Sequence, residues 1–301
     1  MNKVIQKAAK VNHSKLSTSL LKWYDKEARQ LPWRIPPELT KKGIKNDPYK
    51  IWISEIMLQQ TGVKTVQTYY INFIKKWPKI QNLNEADEND VLKEWSGLGY
   101  YRRALNLKKC AEIICENYNG KFPNSEKELL NLPGIGSYTA AAIISIAFDK
   151  PAIVIDGNIQ RITSRLYEIK EDLKKSKSKI YEKLEKIISK ERPGDFAQAL
   201  MDLGSTICKP VNPKCNSCPL LKYCLAHKNN TYKFIPLKTK KLNKVIKKGY
   251  LYIGITTEEK IILIKRPKKG LLSGTICPPS SDWKLNEYPT QKPPFKGDWK
   301  I

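Results

Sequence analysis

Between residues 208 and 224 the chain sets four cysteines, Cys208, Cys215, Cys218 and Cys224, in the spacing C-x6-C-x2-C-x5-C. No other stretch restricts the backbone so severely, because four thiolates must converge on one centre from a single short, basic, proline-bearing loop. The segments on either side of that loop must fold so as to hold it. In a chain with no secretory signal, such a cluster reads as a metal site rather than a disulfide set. Zinc is one alternative, although zinc modules usually show two close C-x2-4-C pairs separated by a longer span. Four thiolates compressed this far suit a [4Fe–4S] cube. Cys110, Cys115 and Cys277 are left as inert thiols.

The 301 residues suffice for two domains with cores of their own. Against 29 Asp and Glu stand 55 Lys and Arg, a formal net charge of +26. An excess of that size predicts a polyanionic partner, nucleic acid first and an acidic membrane surface second. No apolar run has the length of a transmembrane helix, so a place inside the cell is expected. Lys outnumbers Arg 47 to 8. Six of the eight, Arg29, Arg34, Arg102, Arg103, Arg161 and Arg165, fall in the segments singled out here and are candidate contacts, since a guanidinium grips phosphates and bases bidentately. Each alone reads equally well as a helix-surface cation.

From the N-terminus, the basic segment Met1–Lys22 grades into Leu16, Leu20, Leu21 and Trp23, which predicts an amphipathic helix over 15–30 stopped by the proline of Leu31-Pro32-Trp33-Arg34. A lysine-bearing loop, 35–46, leads to Ser54–Thr61. There Glu55 lies inside the apolar run Ile51, Trp52, Ile53, Ile56, Met57 and Leu58, a buried helix. Burying a carboxylate disfavours its charge, which is how a glutamate becomes a proton donor near neutrality. The plainer reading is a glutamate on the polar stripe of a core helix. Val66, Tyr70, Phe73 and Ile74 predict a core-facing helix over 63–76, and another follows over 85–95. Gly97-Leu98-Gly99-Tyr100-Tyr101-Arg102-Arg103 frees the backbone just before two aromatics and two cations. That pattern suits wedging a ring into a base stack, or equally a glycine-terminated helix followed by packed tyrosines.

Residues 125–148 predict helix, tight turn, helix across Leu132-Pro133-Gly134-Ile135-Gly136. Gly134 and Gly136 would let backbone N–H groups approach a phosphate at the start of the second helix, though an ordinary helical hairpin uses the same glycines. Ile155-Asp156-Gly157-Asn158 then delivers an aspartate to a helix start. An N-cap is the plain reading, and cap hydrogen bonds favour the carboxylate form, so the residue can both cap and act. Residues 228–248 turn polar and basic, a connector. Beyond them, 250–255 and 260–265 predict a hairpin around Thr256–Glu259, and the remainder to 301 predicts little regular structure.

Taken together, Leu31–Arg34, Ser54–Thr61, Gly97–Tyr101, Leu132–Ala140, Ile155–Asn158 and the cysteine loop resemble, in order from about residue 15 to 227, the MutY-type adenine DNA glycosylases of the helix-hairpin-helix superfamily. The resemblance implies a mainly α fold. A six-helix module with the helix-hairpin-helix would span 30–149, and an iron-sulfur module would combine 1–29 with 150–227. A connector at 228–248 and an incomplete Nudix-like, β-rich segment at 249–301 would follow, with Gly270-Leu271-Leu272 and Cys277-Pro278-Pro279 at the expected places. It also implies a monomeric, cytoplasmic, nucleoid-associated repair enzyme that hydrolyses the N-glycosidic bond of adenine mispaired with 8-oxoguanine or guanine in double-stranded DNA, with no membrane partner.

By the same resemblance Glu55 is the acid that protonates the leaving adenine, and Asp156 stabilises the sugar cation or bonds to it. Tyr138 and Asn158 hold that pair. Arg29, Trp33, Arg34 and Leu58 line the adenine pocket, Gln60 and Tyr100 enter the stack beside the mispaired guanine, and Cys208, Cys215, Cys218 and Cys224 carry one [4Fe–4S] cluster. Endonuclease III, a sister class, has its lysine nucleophile where this chain has Tyr138, and Thr-His where Gly157-Asn158 follow the aspartate. No strand cleavage is therefore expected. A DNA-binding module without catalysis is the other rival, disfavoured by the presence of both carboxylates and the pocket residues. Two departures stand out. Loop 35–46 is long for the family, and the Phe-Ser-His type loop that reads 8-oxoguanine does not appear, so preference for 8-oxoguanine over guanine is expected to be compressed.

Overall fold

The computed structural model of the chain describes residues 13–237, 245–267 and 274–296. The chain divides between residues 238 and 239 into two units. Among the described residues, no helix is long and apolar enough to cross a membrane.

The first unit is helical. Helix α1 (His13–Glu27) buries Leu16, Leu20 and Tyr24, one residue per turn on a single face. It ends at Glu27 rather than at Pro32, because the Arg29 N–H donates to the Asp202 carboxylate at 3.0 Å instead of continuing the helical ladder. Residues 1–12 of the expected first helix lie outside the described residues. A single turn, α2 (Pro37–Thr40), sits in the long loop. Helix α3 (Pro48–Leu58) opens on a proline, and the Asp47 side chain caps it by accepting the Tyr49 N–H at 2.9 Å. Helix α4 (Val63–Lys76) has the bounds its periodicity predicts and buries Val66, Tyr70 and Phe73.

The helix expected over 85–95 is two helices, α5 (Ile80–Glu85) and α6 (Glu88–Glu94). Asp87 separates them by taking the extended cap conformation and accepting the Asn89 N–H at 2.8 Å. Helix α7 (Arg102–Tyr118) ends on Asn119, which adopts a left-handed φ of 51°. The predicted hairpin is present as α8 (Glu126–Leu130) and α9 (Ser137–Ala142), with Leu132 and Ile135 of the turn buried. Gly134 takes φ +79°, where a side chain is strained, whereas Gly136 is extended and a Cβ there would meet open space. Helix α9 runs into a π-helical turn, Ile143–Ala147, all of it buried.

Four further α-helices follow among the described residues of the unit: α10 (Gly157–Leu166), α11 (Lys177–Glu185), α12 (Pro193–Thr206) and α13 (Leu225–Lys228). Helix α12 is buried from Pro193 to Gly204, and α1, α10 and the π turn all pack on it. This central helix is what brings Arg29 and Arg34, near the start of the chain, beside residues some 170 positions later.

The connector expected from residue 228 begins later. Residues 229–237 strap the first unit: the Thr231 hydroxyl donates to Glu168 at 2.8 Å, the Leu173 N–H to the Leu237 carbonyl at 3.2 Å, and Ile235 is buried. In the second unit, β1 (Lys247–Lys248) pairs antiparallel with β4 (Lys284–Leu285), and β2 (Ile264–Lys265) with β3 (Ile276–Cys277). The predicted hairpin amounts to one bridge, Ile255 to Ile261, across a turn in which the Glu259 N–H donates to the Thr256 carbonyl. Of the large apolar side chains described there, Tyr252 is buried while Ile253, Ile255, Ile261, Leu263 and Leu285 are exposed. Gly270-Leu271-Leu272 lies outside the described residues.

Candidate active site

A cavity of about 550 Å³ opens where the turn after α1, the C-terminal half of α3, the N-termini of α9 and α10, and the middle of α12 meet. Nine of the residues singled out from the sequence line it: Arg29, Trp33, Arg34, Glu55, Leu58, Gln60, Tyr138, Asp156 and Asn158. Tyr100, Gly134 and Gly136 do not.

Glu55 sits on the buried side of α3, 4% exposed. Burial pushes its carboxyl up to about 7; Arg34 and the hydrogen bond from Tyr138 pull the other way, and Asp156 adds to the rise. The Tyr138 hydroxyl donates to Glu55 Oε2 at 2.8 Å. Burial, followed by the neighbouring Glu55 charge, raises that phenol well above its ordinary value, so it remains a donor. Across the cavity, Asp156 caps α10: Oδ1 accepts the Ile159 N–H at 2.6 Å, and Oδ2 accepts the Asn158 side-chain amide at 3.0 Å. The site thus holds two carboxyl groups in unlike surroundings, one desolvated and one fixed by donors.

Asn158 is itself held. Its Oδ1 accepts from Arg161 Nη2 at 2.8 Å, and the same guanidinium donates to the Gly204 carbonyl at 2.8 Å and through Nε to the Cys208 carbonyl at 2.8 Å. Gly204 leaves the room this needs, since a Cβ there would stand 2.5 Å from the Asn158 Cβ. Behind the two arginines that line the cavity lies one buried carboxylate, Asp202, which takes both: Oδ1 accepts Arg29 Nε at 2.6 Å and Oδ2 accepts Arg34 Nη1 at 2.7 Å. Trp33 forms an apolar wall, its ring edge-on to Tyr70 at 5.3 Å.

The arginines expected as DNA contacts are mostly internal. Arg103 is buried and spends its guanidinium on the α3 end, donating through Nη1 to the carbonyls of Ile56, Met57 and Gln59 and through Nη2 to Thr61 Oγ1 and the carbonyls of Leu98 and Gly99. It therefore ties the segment carrying Gln60 to the loop carrying Tyr100, two exposed residues that both hold positive φ, 57° and 48°. Arg165 anchors the cysteine loop by donating to the Lys209 carbonyl at 2.7 Å and the Pro210 carbonyl at 3.0 Å. Such carbonyl-rich partners explain why arginine occupies these positions in a chain that otherwise uses lysine.

Cys208, Cys215, Cys218 and Cys224 are free thiols gathered in one place. Cys218 is pushed up to about 12 by burial and further by the other three sulfurs, and Cys224 to about 11. Arg165 Nη1 lies 3.5 Å from Cys208 Sγ. Among the described residues no three His, Cys, Asp or Glu side chains form a group placed to hold a metal ion. By its chemistry the donor set, four thiols of one loop beside a fixed cation, fits an iron–sulfur cluster.

Sequence reasoning missed α12. Gln198, Met201 and Ser205 line the cavity, and Asp202 braces its arginines. The signal was present: Gln198 and Asp202 interrupt an apolar helix four residues apart, as Glu55 interrupts α3.

The model of the HhH-GPD superfamily of base excision DNA repair proteins matches residues 53–190. An adenine DNA glycosylase of Buchnera aphidicola subsp. Baizongia pistaciae is 41% identical over 262 residues, covering 87% of this chain and 72% of that protein. The structure of a thermostable thymine-DNA glycosylase superposes with a TM-score of 0.62 at 29% identity, over 71% of this chain and 97% of that one. A non-covalent endonuclease III–DNA complex shares the fold, with a TM-score of 0.57 at 24% identity, over 71% of this chain and 94% of that one.

Proposed function

The chain belongs to the adenine DNA glycosylases, hydrolases of the N-glycosyl bond that act in base excision repair, and from that premise we propose which residues carry the reaction and on what substrate. Adenine must leave the base stack to reach a cavity set between the helices, at a cost of a few kcal/mol that is smallest for a mispaired base. The exposed, strained tips Gln60 and Tyr100 are the groups suited to fill the gap it leaves. The substrate is double-stranded DNA in which adenine faces 8-oxoguanine or guanine. The same reading takes the enzyme to act as a monomer, with the nucleoid in the cytoplasm where such a substrate is found.

Inside the cavity Arg29, Trp33, Arg34 and Leu58 enclose the base, and the Gln198 amide offers a donor and an acceptor to its edge. Glu55, protonated near neutrality through burial, gives its proton to the adenine ring nitrogen as the glycosidic bond breaks, while Tyr138 fixes the carboxyl. Asp156, its oxygens aimed by Ile159 and Asn158, faces the sugar and stabilises the oxocarbenium-like centre or bonds to it before water completes hydrolysis. Gly134 and Gly136 present the hairpin backbone to a phosphate.

Cys208, Cys215, Cys218 and Cys224 would hold one [4Fe–4S] cluster. Bound there, it supplies a rigid anchor for the loop between α12 and α13. That anchorage supports a module built from both ends of the helical unit, since α1 and α10 pack on α12 and α13 packs on α10.

One observation carries the reading of a glycosylase that leaves the strand intact. At the position where a Schiff-base lysine would stand, Tyr138 donates to Glu55, and no lysine lines the cavity among the described residues. On a duplex with one A:8-oxoguanine pair the strand should break only after alkali, and borohydride should trap no protein–DNA adduct. A trapped adduct, or cleavage without alkali, would sink it.

A further inference from the structure

We propose that Asp202 is a positioning residue for base release: its buried carboxylate locks Arg29 and Arg34 into one wall of the cavity and offsets the charge that Arg34 presents to Glu55. The inference rests on the reading of Glu55 as the proton donor.

Asp202 is 0% exposed. Both oxygens are spent on the two arginines, Oδ1 on Arg29 Nε and Oδ2 on Arg34 Nη1, with Oδ2 also accepting the Arg29 backbone N–H at 3.0 Å. Such a carboxylate dictates where both guanidiniums point, and each guanidinium lines the cavity. Replacing a buried ion cluster by apolar side chains is often neutral or better for stability, so this one, set in the cavity wall, has its purpose at the site. Three charges, two positive and one negative, leave a net positive wall. Glu55 is faced by Arg34 from the turn after α1, by Tyr138 from α9 and by Asp156 from the start of α10. The groups around Asp202 are Arg29, Arg34 and, from α1, Tyr24. Neutralising Asp202 leaves Arg34 uncompensated and strengthens its pull on Glu55, so the acid loses its proton at lower pH. Neutralising Arg34 does the reverse.

The test is the single-turnover rate of adenine release against pH, using the full chain on a duplex with one A:8-oxoguanine pair. Activity requires protonated Glu55, so the rate falls as pH rises through its titration. Asp202→Asn should move that limb down by about one pH unit, costing about tenfold near pH 8 and regaining most of the parent rate near pH 6. Arg34→Met should move it up, and the double variant should follow Arg34→Met. A merely structural Asp202 would lower the rate by one factor at every pH, and that result overturns the proposal. Should Asp202→Asn fail to fold by its melting curve, the other two variants still decide, because an unmoved limb in both contradicts it. Glu55→Gln separates the two readings: if it stays active, the acid assignment is wrong, whereas an inactive Glu55→Gln with stationary limbs removes only the role of Asp202.

Discussion

Glu55 shows at the scale of one residue what the site costs the fold. Its carboxyl is raised from about 4.5 to about 7 by burial, so between those values the native state binds more protons than the unfolded chain, and stability falls as pH rises. The penalty is absent below the unfolded value and complete above about 7. Glu55→Gln, which keeps the shape and removes the charge, should therefore raise unfolding stability by about 2–3 kcal/mol near pH 8 and change it little near pH 4. Denaturant melts of the two proteins at both values check this. An equal difference at both would mean that the carboxyl is not desolvated in the folded protein.

Among the elements, Arg103 and α12 were the least legible in the sequence. Arg103 adjoins two tyrosines and a second arginine, which resembles a DNA-facing cluster, yet its six acceptors are backbone carbonyls and a hydroxyl from segments 42 to 47 and 4 to 5 residues away. No local pattern announces a partner of that kind. Arg103→Lys, with one point charge in place of a fork, should leave several carbonyls unsatisfied, lower stability by about 2–3 kcal/mol and weaken base release more than duplex binding, because Gln60 and Tyr100 lose their shared support. Paired thermal melts and single-turnover rates read both effects. Helix α4, by contrast, was legible to its ends, since Val66, Tyr70 and Phe73 repeat at helical spacing between Gly62 and Trp77. Glu55, Asp156 and Asn158 stand out from the sequence because they interrupt or end apolar runs, whereas Tyr138, and the roles of all four, come from the family resemblance alone; the structure brings the four to one cavity. Asp202 obeys the same rule, but its meaning depends on Arg29 and Arg34, which lie 173 and 168 residues away.

For the whole molecule, the cysteine loop closes a circuit. Arg161 and Arg165 on α10 hold the backbone of residues 208–210, Arg161 also holds Asn158, and Arg165 Nε donates to the Ile235 carbonyl at 2.9 Å in the strap that follows α13. Loss of one cluster ligand should therefore be felt across the first unit. Cys215→Ser is expected to yield colourless protein of lower stability, whereas Cys110→Ser, which changes a buried thiol pushed up to about 12 by burial, should remain brown and active. Iron content and visible absorbance decide, and one zinc with no iron in anaerobically prepared protein would contradict the cluster. The most direct measurement compares Glu55→Gln with the parent in single-turnover adenine release near pH 7, alongside binding of the same duplex. A fall of about 10²–10⁴-fold with affinity kept within a few-fold is expected of a lost general acid; release within about tenfold of the parent would contradict it.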